Sequence, residues 1–145
     1  MVSSTGIPEK GQELERADGL KLVVTYTLPD GTPIDPSDIE QGTDFIVTTY
    51  ITNTSATTDY TNLALTQIFP SGWEIHADRI EGFYQDFRDD RVYSYLYQGR
   101  NSTSYIKTRI TAAYKGTFYR PAVICEAMYD NTVGAAVPGG WCKVR

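Results

Sequence analysis

Apolar residues recur at every second position in run after run of this chain, and Gly- or Pro-bearing turns cut each run short. Leu20, Leu22, Val24, Tyr26 and Leu28 share one side of the first run, with Lys21, Thr25 and Thr27 on the other. In Asp44–Asn53, Phe45, Val47 and Ile51 alternate against Thr48, Tyr50 and Thr52. A period of two places alternate side chains on opposite faces of a strand, and no stretch keeps the 3.6-residue period of a helix for long. Tyr60–Phe69 is a third run, broken by Pro70-Ser71-Gly72 and followed by Trp73-Glu74-Ile75. Val92–Gln98, Tyr105–Ala113, Arg120–Met128 and Gly140–Val144 complete the set. Pro29-Asp30-Gly31 and Lys115-Gly116-Thr117 read as turns, because Pro fixes φ and Gly accepts positive φ. About seven main strands without a long helix predict an all-β, antiparallel sandwich. The antibody variant does not fit, since it needs widely separated cysteines around a tryptophan and these cysteines sit near the C-terminus.

Three stretches read differently. Ile34–Gln41 is a polar connection with one helical turn at Ser37–Glu40. Asp78–Arg91, which mixes charges with Phe83, Tyr84 and Phe87, predicts an ordered loop that packs its aromatics on the sandwich. Met128-Tyr129-Asp130 lead from the last long strand into a Gly/Pro-rich loop, and Trp141–Arg145 bring the chain back. Residues 1–18 are polar and Gly/Pro-punctuated, like an interdomain linker, which leaves 19–145 as the domain and suggests a piece of a longer secreted chain. Met1–Glu13 carries no apolar core of a signal peptide, and no run approaches the ~20 apolar residues that would span a bilayer. The net charge of −5, with no basic run, argues against nucleic acid as a partner.

No constellation supports catalysis, and no cofactor or metal is expected. His76 is the only histidine, and the sequence marks neither a nucleophile nor an orienting group beside it. Ser71 lacks the Gly-x-Ser-x-Gly setting of a nucleophile elbow. Asp86, Asp89 and Asp90 alternate with Arg88 and Arg91, which reads as a solvated loop of local ion pairs; a calcium site would need about six oxygens and no opposing cations. Cys125 and Cys142 have two readings. A fold-back near Val133–Gly134 would set them opposite each other within disulfide reach, or they are two small buried apolar residues. Tyr93, Tyr95 and Tyr97 share one face of their strand, either packed in the core or an interface or set out as an exposed platform for sugars or peptides.

Four stretches, in order, resemble the C-terminal macroglobulin-like domain of bacterial alpha-2-macroglobulins, of Bacteroides type: Gly6-Ile7-Pro8 leading to Gly19–Tyr26, Leu63–Ile75 (LALTQIFPSGWEI), Phe87–Val92 (FRDDRV) and Gly116–Asp130 (GTFYRPAVICEAMYD). The resemblance implies an immunoglobulin/macroglobulin-like sandwich without enzymatic activity, one part of a large periplasmic or cell-envelope protease trap whose parent is often lipid-anchored. A thioester in another domain of such proteins bonds the attacking protease. The Cys-x-Glu-Gln thioester motif is absent here, since Glu126-Ala127-Met128 follow Cys125. By motif match, Met128, Tyr129 and Asp130 carry the shield that keeps water from that thioester before activation. The expected partners are then the parent chain's thioester domain and, through the whole protein, target proteases; this fragment inserts into no membrane. The alternative is a stand-alone extracellular or periplasmic binding or adhesion sandwich that uses the Tyr93/Tyr95/Tyr97 face.

Overall fold

The alternating runs become strands in the computed structural model, which describes residues 15–76 and 84–145. In chain order the strands are β1 (Arg16–Asp18), β2 (Leu20–Thr27), β3 (Asp44–Asn53), β4 (Tyr60–Ile68), β5 (Trp73–His76) and β6 (Tyr84–Phe87). They continue as β7 (Arg91–Gln98), β8 (Thr103–Ala112), β9 (Gly116–Arg120), β10 (Val123–Ala127), β11 (Asp130–Val137) and β12 (Gly140–Val144). A six-stranded sheet runs β1-β11-β10-β4-β7-β6, a four-stranded sheet β2-β3-β8-β5, and β12 pairs with β9 in a small third sheet. Every ladder is antiparallel.

The inward residues of each strand meet between the sheets. Leu20, Leu22, Ile51 and Ile106 of the four-stranded sheet pack on Leu63, Leu65, Leu96, Val123 and Cys125 of the six-stranded one. A second cluster joins Phe45, Val47, Trp73 and Ile110 to Val92, and to Cys142 and Val144 of the small sheet. Burying these apolar faces is the main favourable term in the fold. Some polar groups that enter the interior are paired: Gln67 Nε2 donates to Thr49 Oγ1 at 3.0 Å, and Asn53 Nδ2 donates to the Gln98 carbonyl at 3.1 Å. The antiparallel sandwich expected from the alternation is the fold observed.

Several local expectations are corrected. Arg120–Met128 is not one strand. Pro121, which has no N–H to give a ladder, divides it into β9 in the small sheet and β10 in the large one. The Gly/Pro-rich stretch after Asp130 is mostly strand β11, and only Pro138-Gly139 turns the chain. Its small residues read as loop but serve close packing. A Cβ on Gly134 would lie 2.7 Å from an Arg16 guanidinium nitrogen and 3.3 Å from the Cys125 carbonyl. Within the stretch read as linker, Arg16–Asp18 forms an edge strand paired to Gly134–Ala136; residues 1–14 lie outside the described residues. No helical turn forms at Ser37–Glu40. That segment runs beside β12 instead, with Ile39 N–H donating to the Lys143 carbonyl and Arg145 N–H to the Ile39 carbonyl. Of the expected loop at Asp78–Arg91, residues 78–83 lie outside the described residues, Tyr84–Phe87 is β6, and Phe87 packs on the second cluster.

Candidate functional site

The feature that stands out from this frame is the tip of the β10–β11 hairpin. β10 lies between β4 and β11, so its path is fixed by ladders on both sides. Beyond the Glu126–Gly134 pair the register jumps, and Ala127 sits opposite Asp130. Three residues of β11 bulge out there, and Met128-Tyr129 is left to make the turn. A bulge of this kind bends a strand and re-aims the side chains beside it. Two groups hold the turn in place. Met128 N–H donates to the Asn62 carbonyl of β4 at 2.8 Å, and the Asp130 carboxylate accepts from Thr132 N–H at 3.0 Å and from the Thr132 hydroxyl at 2.5 Å. Those two donors hold the Asp130 carboxyl below its usual range, the hydroxyl being the larger influence.

The turn presents an apolar pair to solvent. Tyr129 is 84% exposed and Met128 52%. An open depression of about 680 Å³ lies on one side, lined by Ala64, Glu126, Ala127, Met128, Tyr129 and Asp130. A smaller one, bounded by Asp59, Tyr60 and Asn62, lies on the other. The structure therefore brings Met128, Tyr129 and Asp130 together at one tip. Ala64 and Asn62 were missed in the sequence. Their only signal is that β4 must neighbour the strand carrying the tip, which is a long-range pairing.

Tyr93, Tyr95 and Tyr97 do share a face, and it points outward: Val92, Ser94, Leu96 and Gln98 occupy the buried side. Core packing for these rings is therefore excluded. Tyr84 of β6 lies against Tyr95 with ring centroids 5.7 Å apart, and the Arg88 guanidinium sits 5.9 Å from the Tyr93 ring centre. Register joins this face to the hairpin, since Glu126, Ala64, Tyr95 and Tyr84 are successive cross-strand partners on the outer surface.

Cys125 and Cys142 are free thiols, both buried. The expected fold-back near Val133–Gly134 does not occur, because the hairpin turns at Met128-Tyr129 and puts Ala135 opposite Cys125. Cys142 lies in the small sheet opposite Phe118, within the other core cluster. The reading as small buried apolar residues is the one the structure supports. Burial pushes the Cys125 thiol up to about 12 and Cys142 to about 11, Arg120 opposing the rise at Cys142. Since the thiolate is the reactive form, neither should react with a disulfide reagent at pH 8 in the folded domain, and both should react after unfolding. A titration with Ellman's reagent, with and without denaturant, measures this; one equivalent released under native conditions would contradict it.

Asp86 and Asp90 are held by Arg88 and Arg91, each pair at 2.9 Å. Among the described residues no group of three or more His, Cys, Asp or Glu is placed to hold a metal ion. His76 does have neighbours that the sequence did not mark. Its Nε2 lies 2.7 Å from Thr111 Oγ1, and the Thr111 hydroxyl donates to Asp44 at 2.5 Å. The threonine proton thus faces the carboxylate and not the imidazole, which is the wrong arrangement for a base to activate that hydroxyl.

The bacterial alpha-2-macroglobulin MG10 domain model matches residues 19–131. The chain is 28% identical to an alpha-2-macroglobulin of Pasteurella multocida (strain Pm70), across 99% of this chain and 8% of that protein, so it spans about a twelfth of this curated relative. Among solved structures, native Escherichia coli alpha-2-macroglobulin, from domain MG7 to the C-terminus, superposes with a TM-score of 0.85 at 17% identity, covering 97% of this chain and 25% of that one. Salmonella alpha-2-macroglobulin reacted with methylamine does so with a TM-score of 0.82 at 17% identity, covering 97% and 10%. The model match over residues 19–131, most of the chain, carries the assignment: this chain belongs to the bacterial alpha-2-macroglobulin MG10 domain family.

Proposed function

We propose that this domain is a non-catalytic part of an envelope or periplasmic protease inhibitor, and that its β10–β11 tip packs on the thioester of another domain of the parent chain until a protease triggers activation. The observation that carries the reading is Tyr129, 84% exposed on a turn that bulge, sheet and Asp130 hold in place. An aromatic ring held out in water with its backbone fixed is suited to cover a flat apolar site at little entropic cost. A reactive acyl bond in turn survives longest where water is excluded. Relatives support the setting. The Salmonella protein reacts with methylamine, and the Escherichia coli protein has been captured activated by trypsin and by porcine elastase. The parent's target proteases are partners of the whole protein, and the domain itself performs no reaction.

In the full-length parent, Tyr129→Gly should speed thioester hydrolysis about tenfold or more, which corresponds to about 1.4 kcal/mol off the barrier. Tyr129→Phe should keep most of the protection, since the ring and not the hydroxyl excludes water. The time course of free thiol release reads both, and an unchanged rate for Tyr129→Gly would sink the reading. A second reading, a binding sandwich that works through the tyrosine face, draws on the outward Tyr93, Tyr95 and Tyr97. It gains if Tyr129→Gly is silent while removal of those rings abolishes capture of a glycan or peptide.

A further inference from the structure

We propose that the depression beside Tyr129 is a socket for one basic side chain, a lysine or arginine, projecting from the thioester-bearing domain of the parent chain. The inference rests on the shielding role argued above and names the chemistry of the surface that meets the tip. Its floor comes from Ala64. On the outer face of the sheet Ala64 stands between Glu126 of β10 and Tyr95 of β7, so a methyl group sits where both neighbours carry long side chains. That difference in length makes a hole. Met128 and Tyr129 wall it on the side of the turn, and Glu126 and Asp130 supply carboxylates to its edge.

The state of those carboxylates points to a cationic occupant. Five aspartates elsewhere are paired with arginines: Asp18 with Arg16, Asp38 with Arg145, Asp59 with Arg100, Asp86 with Arg88 and Asp90 with Arg91. The Glu126 carboxylate has no ion pair or hydrogen-bond partner among the described residues, and Asp130 spends only Oδ1 on Thr132. Two anionic groups are thus left open at the base of the most exposed apolar turn, on a chain of net charge −5. A lysine or arginine fits such a place in both halves of its structure. Its aliphatic stem would lie on Ala64 and Met128 and its charged end would reach Glu126 and Asp130. The Tyr129 ring adds an attractive face for the cation. A metal ion fits less well, since two carboxylates fall short of the six or more oxygens that calcium takes. Docking the two domains would exclude water from the pair and strengthen the attraction.

The test is made in the full-length parent by following thioester hydrolysis in Glu126→Gln and Glu126→Lys at low and high salt. Glu126→Gln should raise the hydrolysis rate roughly threefold and Glu126→Lys about tenfold, because reversal adds repulsion to the lost attraction. Both effects should shrink as ionic strength rises from about 0.05 to 0.5 M, where the screening length falls to a few ångströms. Glu74→Lys, the same charge change on the opposite sheet, should leave the rate alone. If Tyr129→Gly accelerates hydrolysis while both Glu126 variants match the wild type, the socket is overturned and the shield survives. If none of the three changes the rate, the shielding role fails with it. An equal, salt-independent effect of both Glu126 variants would point to packing and also overturn the basic partner.

Discussion

Phe45→Ala is expected to lower the unfolding free energy of this domain by about 3–5 kcal/mol, the usual cost of truncating a buried phenylalanine. Phe45 is completely buried, and its ring meets Trp73 edge-on at 5.0 Å and 82°. Trp73 in turn touches Tyr26 and Phe69, each at 6.2 Å. These rings join the four-stranded sheet to the small β9–β12 sheet, so truncation empties the place where three sheets meet. Collapse into the cavity is opposed because β3 is laddered on both edges, to β2 and to β8. Against a typical total of about 5–15 kcal/mol, such a loss leaves a domain close to its unfolding threshold. Tyr129→Gly should move the same quantity by no more than about 0.5 kcal/mol, since its ring is almost wholly in water. Urea titrations read both. The contrast matters for the proposed shielding role, because it separates loss of a surface ring from unfolding of the domain that carries it. A Tyr129→Gly midpoint as low as that of Phe45→Ala would mean the tip is structural.

The strands that were legible in the sequence are those with one buried and one solvated face. Asp44–Asn53 and Gly140–Val144 occur at the bounds the alternation gave, and Tyr60–Ile68 and Arg91–Gln98 differ by a residue. Where period-two patterning is faint, the reading failed. β11 carries Gly134, Ala135 and Ala136, whose small size reflects the close passage of Arg16 and β10 rather than a loop. β1 is three residues long and gains its place only by pairing with β11. Cys125 and Cys142 were 17 residues apart in a stretch that looked like one hairpin. Pro121 sends the two flanking segments to different sheets, and no local signal tells a proline that ends a strand from one that hands the chain to another sheet. The tip was legible only through the resemblance of Gly116–Asp130 to a known domain. Alternation can place Met128 and Tyr129 at the end of a strand but says nothing of what faces them. Glu126 and Ala64 become neighbours only once β4 and β10 pair, 62 residues apart in the chain.

The second large effect is expected at that same division between sheets. Gly139→Ala should destabilise the domain by about 3 kcal/mol, the upper part of the range for forced overpacking. A Cβ there would stand 2.1 Å from the Arg120 carbonyl oxygen, 2.9 Å from the Pro121 carbonyl carbon and 2.9 Å from the Tyr119 hydroxyl. Two of these are backbone atoms at the corner where β9 ends, so no flexible side chain can swing aside. Relief requires the Pro138-Gly139 turn to move away from Arg120, which strips the Gly140–Arg120 end of the β9–β12 ladder. Gly31→Ala is the proper comparison. It has positive φ, +94°, but open space around it, so it should cost only about 1–2 kcal/mol of conformational strain. The two buried thiols report where the damage goes. Cys142 lies on β12 beside the disturbed turn, whereas Cys125 lies on β10 between two intact ladders. Gly139→Ala should therefore speed labelling of Cys142 well before that of Cys125, with the Met128-Tyr129 tip still anchored to β4. Equal acceleration at both thiols would mean that the small sheet and the hairpin open together, and that the corner at Pro121 couples the C-terminal strand to the Met128-Tyr129 tip.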